Sequence, residues 1–89
     1  MISIQTTICN KLGLHARAAT KFANTALRFG CDIKVDCNGK TIDGKSIMSL
    51  MLLAAAKGTP IEISADGSDE DLAIDALKTL IENKFDEGE

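Results

Sequence analysis

The chain has no tryptophan, no tyrosine and only three phenylalanines among its 89 residues. Stacking of bases on aromatic side chains therefore has little to work with, and no nucleic-acid partner is expected. Proline and histidine occur once each. The three cysteines, Cys9, Cys31 and Cys37, are an odd set without a C-x-x-C pair, which argues against a disulfide framework and against a zinc site. Cys31 and Cys37 fall on one predicted strand, about 20 Å apart at the rise of an extended chain, beyond disulfide reach. All three read as small apolar residues of the interior. The longest apolar run, Leu50 to Ala56, is too short to cross a membrane, which takes about 20 residues. The opening stretch MISIQTTICN lacks the basic and apolar regions of a signal peptide. A cytoplasmic protein without membrane insertion is the expectation.

What is present fits an ordinary globular chain. It is 45% hydrophobic and 26% charged, a balance that excludes a disordered or fibrous class, and its length implies one domain, residues 1–89. The net charge of −3 hides a division. Residues 1–58 carry eight Lys and Arg against three acids, a net of +5. Residues 59–89 carry two lysines against ten acids, a net of −8. The acids suit one solvated C-terminal helix and a tail. The basic excess implies a face for an anion or an acidic partner.

Alternation marks the strands. Ile2, Ile4, Thr6 and Ile8 share one side of a half-buried strand over 2–8. Cys31, Ile33, Val35 and Cys37 share one side over 31–37, and Asn38-Gly39 follows as a type I′ hairpin signal. A short return strand runs over 40–43. PIEISA at 60–65 is the last strand, with Pro60 at its first position, where the missing N–H does least harm. Helical spacing appears between the strands. Ala19, Phe22, Ala23 and Ala26 mark a helix over 16–28 with Gly30 as its C-cap. A second helix spans 47–57 between Ser46 and Gly58. A third spans 69–84, with Leu72, Ala73, Ala76, Leu77, Leu80 and Ile81 as its apolar stripe and Ser68 as N-cap. The last residues, FDEGE, read as a fraying tail. The order βαββαβα with one-sided strands predicts an α+β, open-faced β-sandwich: a four-stranded antiparallel sheet with three helices on one face.

Two positions carry chemistry. The lone histidine, His15, immediately precedes the first helix. The first amides of a helix have no carbonyl partner inside it and lie at the positive end of its dipole, so an anion such as phosphate is stabilised there. Ala16, Arg17 and Ala18 would supply those amides, and the Arg17 guanidinium can hold phosphate oxygens bidentately. An ordinary imidazole is nucleophilic near neutral pH, with a pKa of about 6.5. A phosphoryl group on its nitrogen is labile, which suits a temporary carrier rather than a stable ester. Taken alone, a histidine in a loop is more often a plain surface residue. Ser46, the second position, is explained as the N-cap of the second helix. That helix is apolar nearly all round, yet a short helix on one sheet face cannot bury every side. Some of Ile47, Met48 and Met51 should be exposed, and flexible methionines suit a surface accepting several partners.

With NKLGLHAR at 10–17, GKSIM at 44–48, AAAKG at 54–58 and this element order, the chain resembles the HPr family, the histidine-containing phosphocarriers of the bacterial phosphoenolpyruvate phosphotransferase system. The resemblance covers nearly the whole length. It implies that His15 accepts a phosphoryl group at Nδ1 from phosphorylated enzyme I and passes it to IIA domains, with Arg17 steadying the group. It implies regulatory phosphorylation of Ser46 by HPr kinase, and partner docking by Ala16, Thr20, Ile47, Met48 and Met51. It implies a monomer acting in sugar transport, with no cofactor and no metal. The family motif has proline after the arginine, where this chain has Ala18. Alanine preserves the helix start and adds a donor, so fine geometry is what the change touches. Ser49 stands where glycine is common. The alternatives are a carrier of the nitrogen-related branch, which often lacks the Gly-Lys-Ser sequence, and a regulatory module acting mainly through Ser46, which would lack the histidine. A passive anion-binding domain has no support beyond the helix-end argument.

Overall fold

A computed structural model describes residues 1–53 and 55–86. The elements follow in the order β1 (Ile2–Thr7), α1 (Ala16–Ala26), β2 (Asp32–Cys37), β3 (Lys40–Asp43), α2 (Ile47–Leu52), β4 (Pro60–Asp66) and α3 (Glu70–Glu82), closed by a 3-10 turn at Lys84–Asp86. The strands form one antiparallel sheet in the order β1-β4-β2-β3. The expected open-faced sandwich is therefore the observed one.

Register explains its two faces. Ile4 pairs Ile63, Ile63 pairs Val35 and Val35 pairs Ile42, so one apolar row crosses all four strands beneath the helices. One step along, Gln5, Glu62, Asp36 and Thr41 form the corresponding row on the open face. Because side chains alternate with period two, a one-residue slip would exchange these rows. The Asn38-Gly39 turn fixes the β2–β3 register, with φ of 52° and 82° as a type I′ turn requires. Phe22, Ile8, Ile33, Leu50, Ile63, Leu77, Ile81 and Val35 are fully buried between sheet and helices, and each such side chain stabilises the fold by roughly 1.5–3 kcal/mol relative to exposure.

Several boundaries differ from the sequence reading. The second helix ends at Leu52 rather than 57. The Ala55 carbonyl accepts from Leu14 N (2.8 Å), and Gly58 N donates to Ile8 O (2.7 Å); these tertiary bonds draw 55–59 away from a helical path, and Ala54 lies outside the described residues. The first helix ends at Ala26 and unwinds through Arg28 N→Thr25 O and Phe29 N→Ala26 O. Gly30 is therefore not its C-cap, and its N–H donates to Asp69 instead (2.9 Å). The N-cap position of α3 belongs to Asp69 rather than Ser68, and its carboxylate reaches across to Gly30 and Cys31 rather than capping its own helix. Leu72 points outward, 66% exposed, and Ile74 takes its place among the buried residues. The strand limits shift by one residue, to Thr7, Asp32 and Asp66.

The tail is corrected most. Phe85 is fully buried. Lys84 and Phe85 both adopt left-handed φ, 54° and 55°, a conformation that side chains rarely take, and it turns the ring back into the core. Lys21 of α1 secures the turn by donating Nζ to Phe85 O at 2.6 Å. Residues 87–89 of that stretch lie outside the described ones. The cysteines are free, with Cys31 and Cys37 buried as expected and Cys9 half-buried with its Sγ 3.0 Å from Ile81 O. Burial, followed by the neighbouring Asp69, pushes the Cys31 thiol above its ordinary pKa, so it stays protonated and unreactive. No helix among the described residues is long and apolar enough to cross a membrane.

Asp69 is an inter-element clasp with a pH signature. The Gly30 N–H, then the Cys31 groups, hold its carboxyl below the ordinary aspartate range. A depressed pKa in the folded state stabilises at pH above the unfolded value, about 4, and the contribution is lost as pH falls through the folded value. Asp69→Asn should lower the thermal midpoint at pH 7, and the gap from the parent should close as the pH is taken well below 4. Thermal unfolding followed by circular dichroism across that range checks this; a gap constant with pH would contradict it.

Candidate functional site

The approach to His15 is shaped by one close contact. Gly13 has φ of +69°, and a Cβ there would lie 2.4 Å from the Ala55 carbonyl oxygen. Only glycine permits both the backbone conformation and this approach. The contact lets Leu14 donate its N–H to Ala55 O and sink its side chain into the core, 5% exposed. The loop before α1 is thus docked on the segment after α2. The next residue, His15, is the N-cap of α1, as its spacing indicated, with extended backbone (φ −78°, ψ 179°) and its carbonyl accepting from Ala19 N at 2.8 Å. Its imidazole does not cap the helix amides. The first-turn N–H groups of Ala16, Arg17 and Ala18 have no carbonyl partner within the helix, and Ala16 and Arg17 are exposed. No acidic residue occupies this first turn, so nothing on the helix itself opposes an anion.

The neighbouring residues divide by exposure. Ala16 and Arg17 are exposed. Ala18 is completely buried, so the residue that departs from the family motif packs inward as the third residue of the helix, where proline's missing N–H would cost no helical bond. Thr20 is half-buried and returns its hydroxyl to Ala16 O at 2.8 Å, so its donor already serves the helix. Lys21 and Lys45 donate Nζ to the carbonyls of Phe85 and Phe29. Two of the lysines counted toward a basic face are therefore internal staples. Lys11, Arg17 and Lys57 remain exposed on the His15 loop, the start of α1 and the segment docked beneath them.

Ser46 is the N-cap of α2, and its Oγ accepts from Ser49 N at 3.3 Å. The preceding Gly44 donates to Ile33 O at 2.8 Å, and a Cβ on it would lie 2.6 Å from the Ile33 side chain. Together with the Lys45 staple, the Gly44-Lys45-Ser46 sequence has structural work at each position. On α2, Leu50 is fully buried while Ile47, Met48 and Met51 are exposed by 36%, 73% and 45%. Sequence reasoning missed two further exposed apolar residues, Leu12 and Leu52. Leu52 lies four residues after Met48, so helical spacing already placed them on one face. Leu12 sits in a turn, where a single exposed apolar side chain carries no signal by itself.

Residues 2–83 match the family model described as the PTS HPr component phosphorylation site. Phosphocarrier protein HPr of Pseudomonas aeruginosa is 52% identical over 90 residues, covering all of both chains. Phosphocarrier protein NPr of Shewanella violacea is 45% identical over 83 residues, covering 93% of this chain and 91% of its own. The crystal structure of HPr from Thermoanaerobacter tengcongensis superposes with a TM-score of 0.94 at 45% identity, covering 98% of each chain. An open-faced sandwich with these relatives is a phosphocarrier of the phosphotransferase system. Within that class, the chain belongs to the HPr family.

The Ser46 cap has a measurable share in this architecture. Ser46→Ala should cost about 1 kcal/mol by removing the acceptor for Ser49 N–H. Ser46→Asp, which keeps an acceptor and adds a charge favourable at a helix N-terminus, should recover most of it. Urea denaturation midpoints compare the three; an alanine variant as stable as the parent would show that the cap contributes nothing.

Proposed function

We propose that His15 is the phosphoryl acceptor of a sugar-system phosphocarrier. The observation that carries this reading is the placement of the chain's one imidazole at the N-cap of an eleven-residue helix, two residues before the exposed Arg17 and at first-turn amides with no intrahelical partner. The imidazole Nδ1 attacks phosphorus on phosphorylated enzyme I. The new N–P bond forms as the donor's bond to phosphorus breaks, and the reverse sequence delivers the group to a IIA domain. Arg17 and the helix amides hold the phosphoryl oxygens, whose charge is what such a transfer must stabilise. The exposed Ile47, Met48 and Met51, with Leu52 and Leu12, serve as the apolar part of the docking surface, and Lys11, Arg17 and Lys57 as the basic part. The exposed Ala16 belongs to the same surface, and Thr20 contributes by fixing the first turn. The protein acts as a cytoplasmic monomer.

We assign Ser46 as the regulatory site, phosphorylated by an HPr kinase. A phosphate there adds roughly −1.5 to −2 charge next to the apolar docking residues. Gly44-Lys45-Ser46 favours the sugar branch, although the similarity to a curated NPr keeps the nitrogen-related carrier as the second reading. A module acting through Ser46 alone would leave the His15 arrangement without a use.

Incubation with enzyme I and phosphoenolpyruvate should give acid-labile phosphate on His15, mapped by mass spectrometry, and His15→Ala should abolish it. Label persisting in that variant would remove the assignment. Incubation with HPr kinase and ATP should give acid-stable phosphate on Ser46, and the modified protein should accept phosphate from enzyme I more slowly. Equal rates with and without the Ser46 phosphate would reject the regulatory reading.

A further inference from the structure

Asn10 is the only polar or charged residue among the described ones that is fully buried, and it lies five positions before His15, at the start of the turn leading to it. Its Nδ2 donates to Gly13 O at 2.8 Å, and Gly13 N donates back to Asn10 O at 3.2 Å. The four residues Asn10 to Gly13 are thus closed twice, by main chain and by side chain. The Leu14 N–H, across the same peptide unit as the Gly13 carbonyl, donates to Ala55 O at 2.8 Å. The peptide plane joining Gly13 to Leu14 is therefore gripped at both polar ends, its carbonyl by Asn10 and its N–H by Ala55. Rotating it would break both bonds in a buried place, and each unmade buried bond costs more than an exposed one.

That plane is the last but one before the His15 α-carbon. A buried carboxamide gives the core less than an apolar side chain of equal size. What it adds is direction, because an amide donor fixes the orientation of the carbonyl it meets. We propose that Asn10 is a positioning residue for phosphoryl transfer: by holding the Gly13 carbonyl it fixes the peptide plane one link before His15, and so narrows the directions from which the imidazole meets phosphorus. The inference rests on His15 being the acceptor. Transfer in line is sensitive to such placement, and a displacement of about 1 Å can cost on the order of 100-fold in rate.

The test uses the full chain with enzyme I and phosphoenolpyruvate, comparing the parent with Asn10→Ala and Asn10→Ser. In variants whose sheet amide resonances match the parent, kcat for His15 phosphorylation should fall about tenfold or more, beyond any change in KM that comes from Lys11 and Leu12 of the same turn lying on the docking surface. An unchanged kcat, or a raised KM with kcat intact, would overturn the proposal. Hydrogen exchange on the parent keeps the question decidable if neither variant folds. The Leu14 amide should be protected to the level of the β4 amides, and exchange as fast as that of exposed Lys11 would overturn the proposal equally. A parent that takes no label on His15 would instead refute the acceptor assignment, and the Leu14 exchange would still report on the clasp.

Discussion

The molecule depends on β4 being inserted between β1 and β2. The two strands that flank it come from the first half of the chain, and without it they share no hydrogen bond. Ile63 is the shared member of the apolar row, paired with Ile4 on one side and Val35 on the other. The residues that lead into β4 continue the same zipper outward, through Ile8 N to Thr59 O and Gly58 N to Ile8 O. They then deliver Ala55 to the underside of the His15 loop. The sheet and the candidate site are held by one continuous stretch of chain, from Ala55 to Asp66.

This explains what the sequence made legible. Strands over 2–8, 31–37, 40–43 and 60–65 were readable because period-two alternation reflects burial on one face, and the Asn38-Gly39 turn has a chemistry of its own. The N-caps His15 and Ser46 were readable because each immediately precedes a helical pattern. The errors cluster where tertiary bonds override local pattern. LLAAAK is as good a helix as any in the chain by propensity, yet Leu14 and Ile8 claim its carbonyl and amide neighbours. Ser68 is a fair N-cap by type, but Asp69 is held by Gly30 and Cys31. Phe85 looked like part of a charged tail because nothing local reveals that its backbone turns left-handed and returns the ring to the core.

At the site, the imidazole, the guanidinium and the capping serine were visible as residue types at helix mouths. The supporting frame was not. Asn10 and Gly13 acquire their meaning only through Ala55, which no local pattern connects to them. Two lysines counted as surface charge became staples to Phe85 and Phe29 carbonyls, because a flexible ammonium finds main-chain acceptors that a composition count does not see. The basic character of the His15 end is therefore narrower than the charge division implied, and lies in Lys11, Arg17 and Lys57.

The dependence of the His15 loop on Ala55 and β4 has a consequence for synthesis. During translation the histidine leaves the ribosome before the carbonyl that anchors its loop and the strand that joins its sheet, and the Phe85 ring that closes the core follows later still. At roughly 5–20 residues per second, the nascent chain passes several seconds with an imidazole but no frame around it. Non-local pairings of this kind are slow to form. A chain stalled before Ala55 would hence hold its imidazole on a loop without the Leu14 anchor.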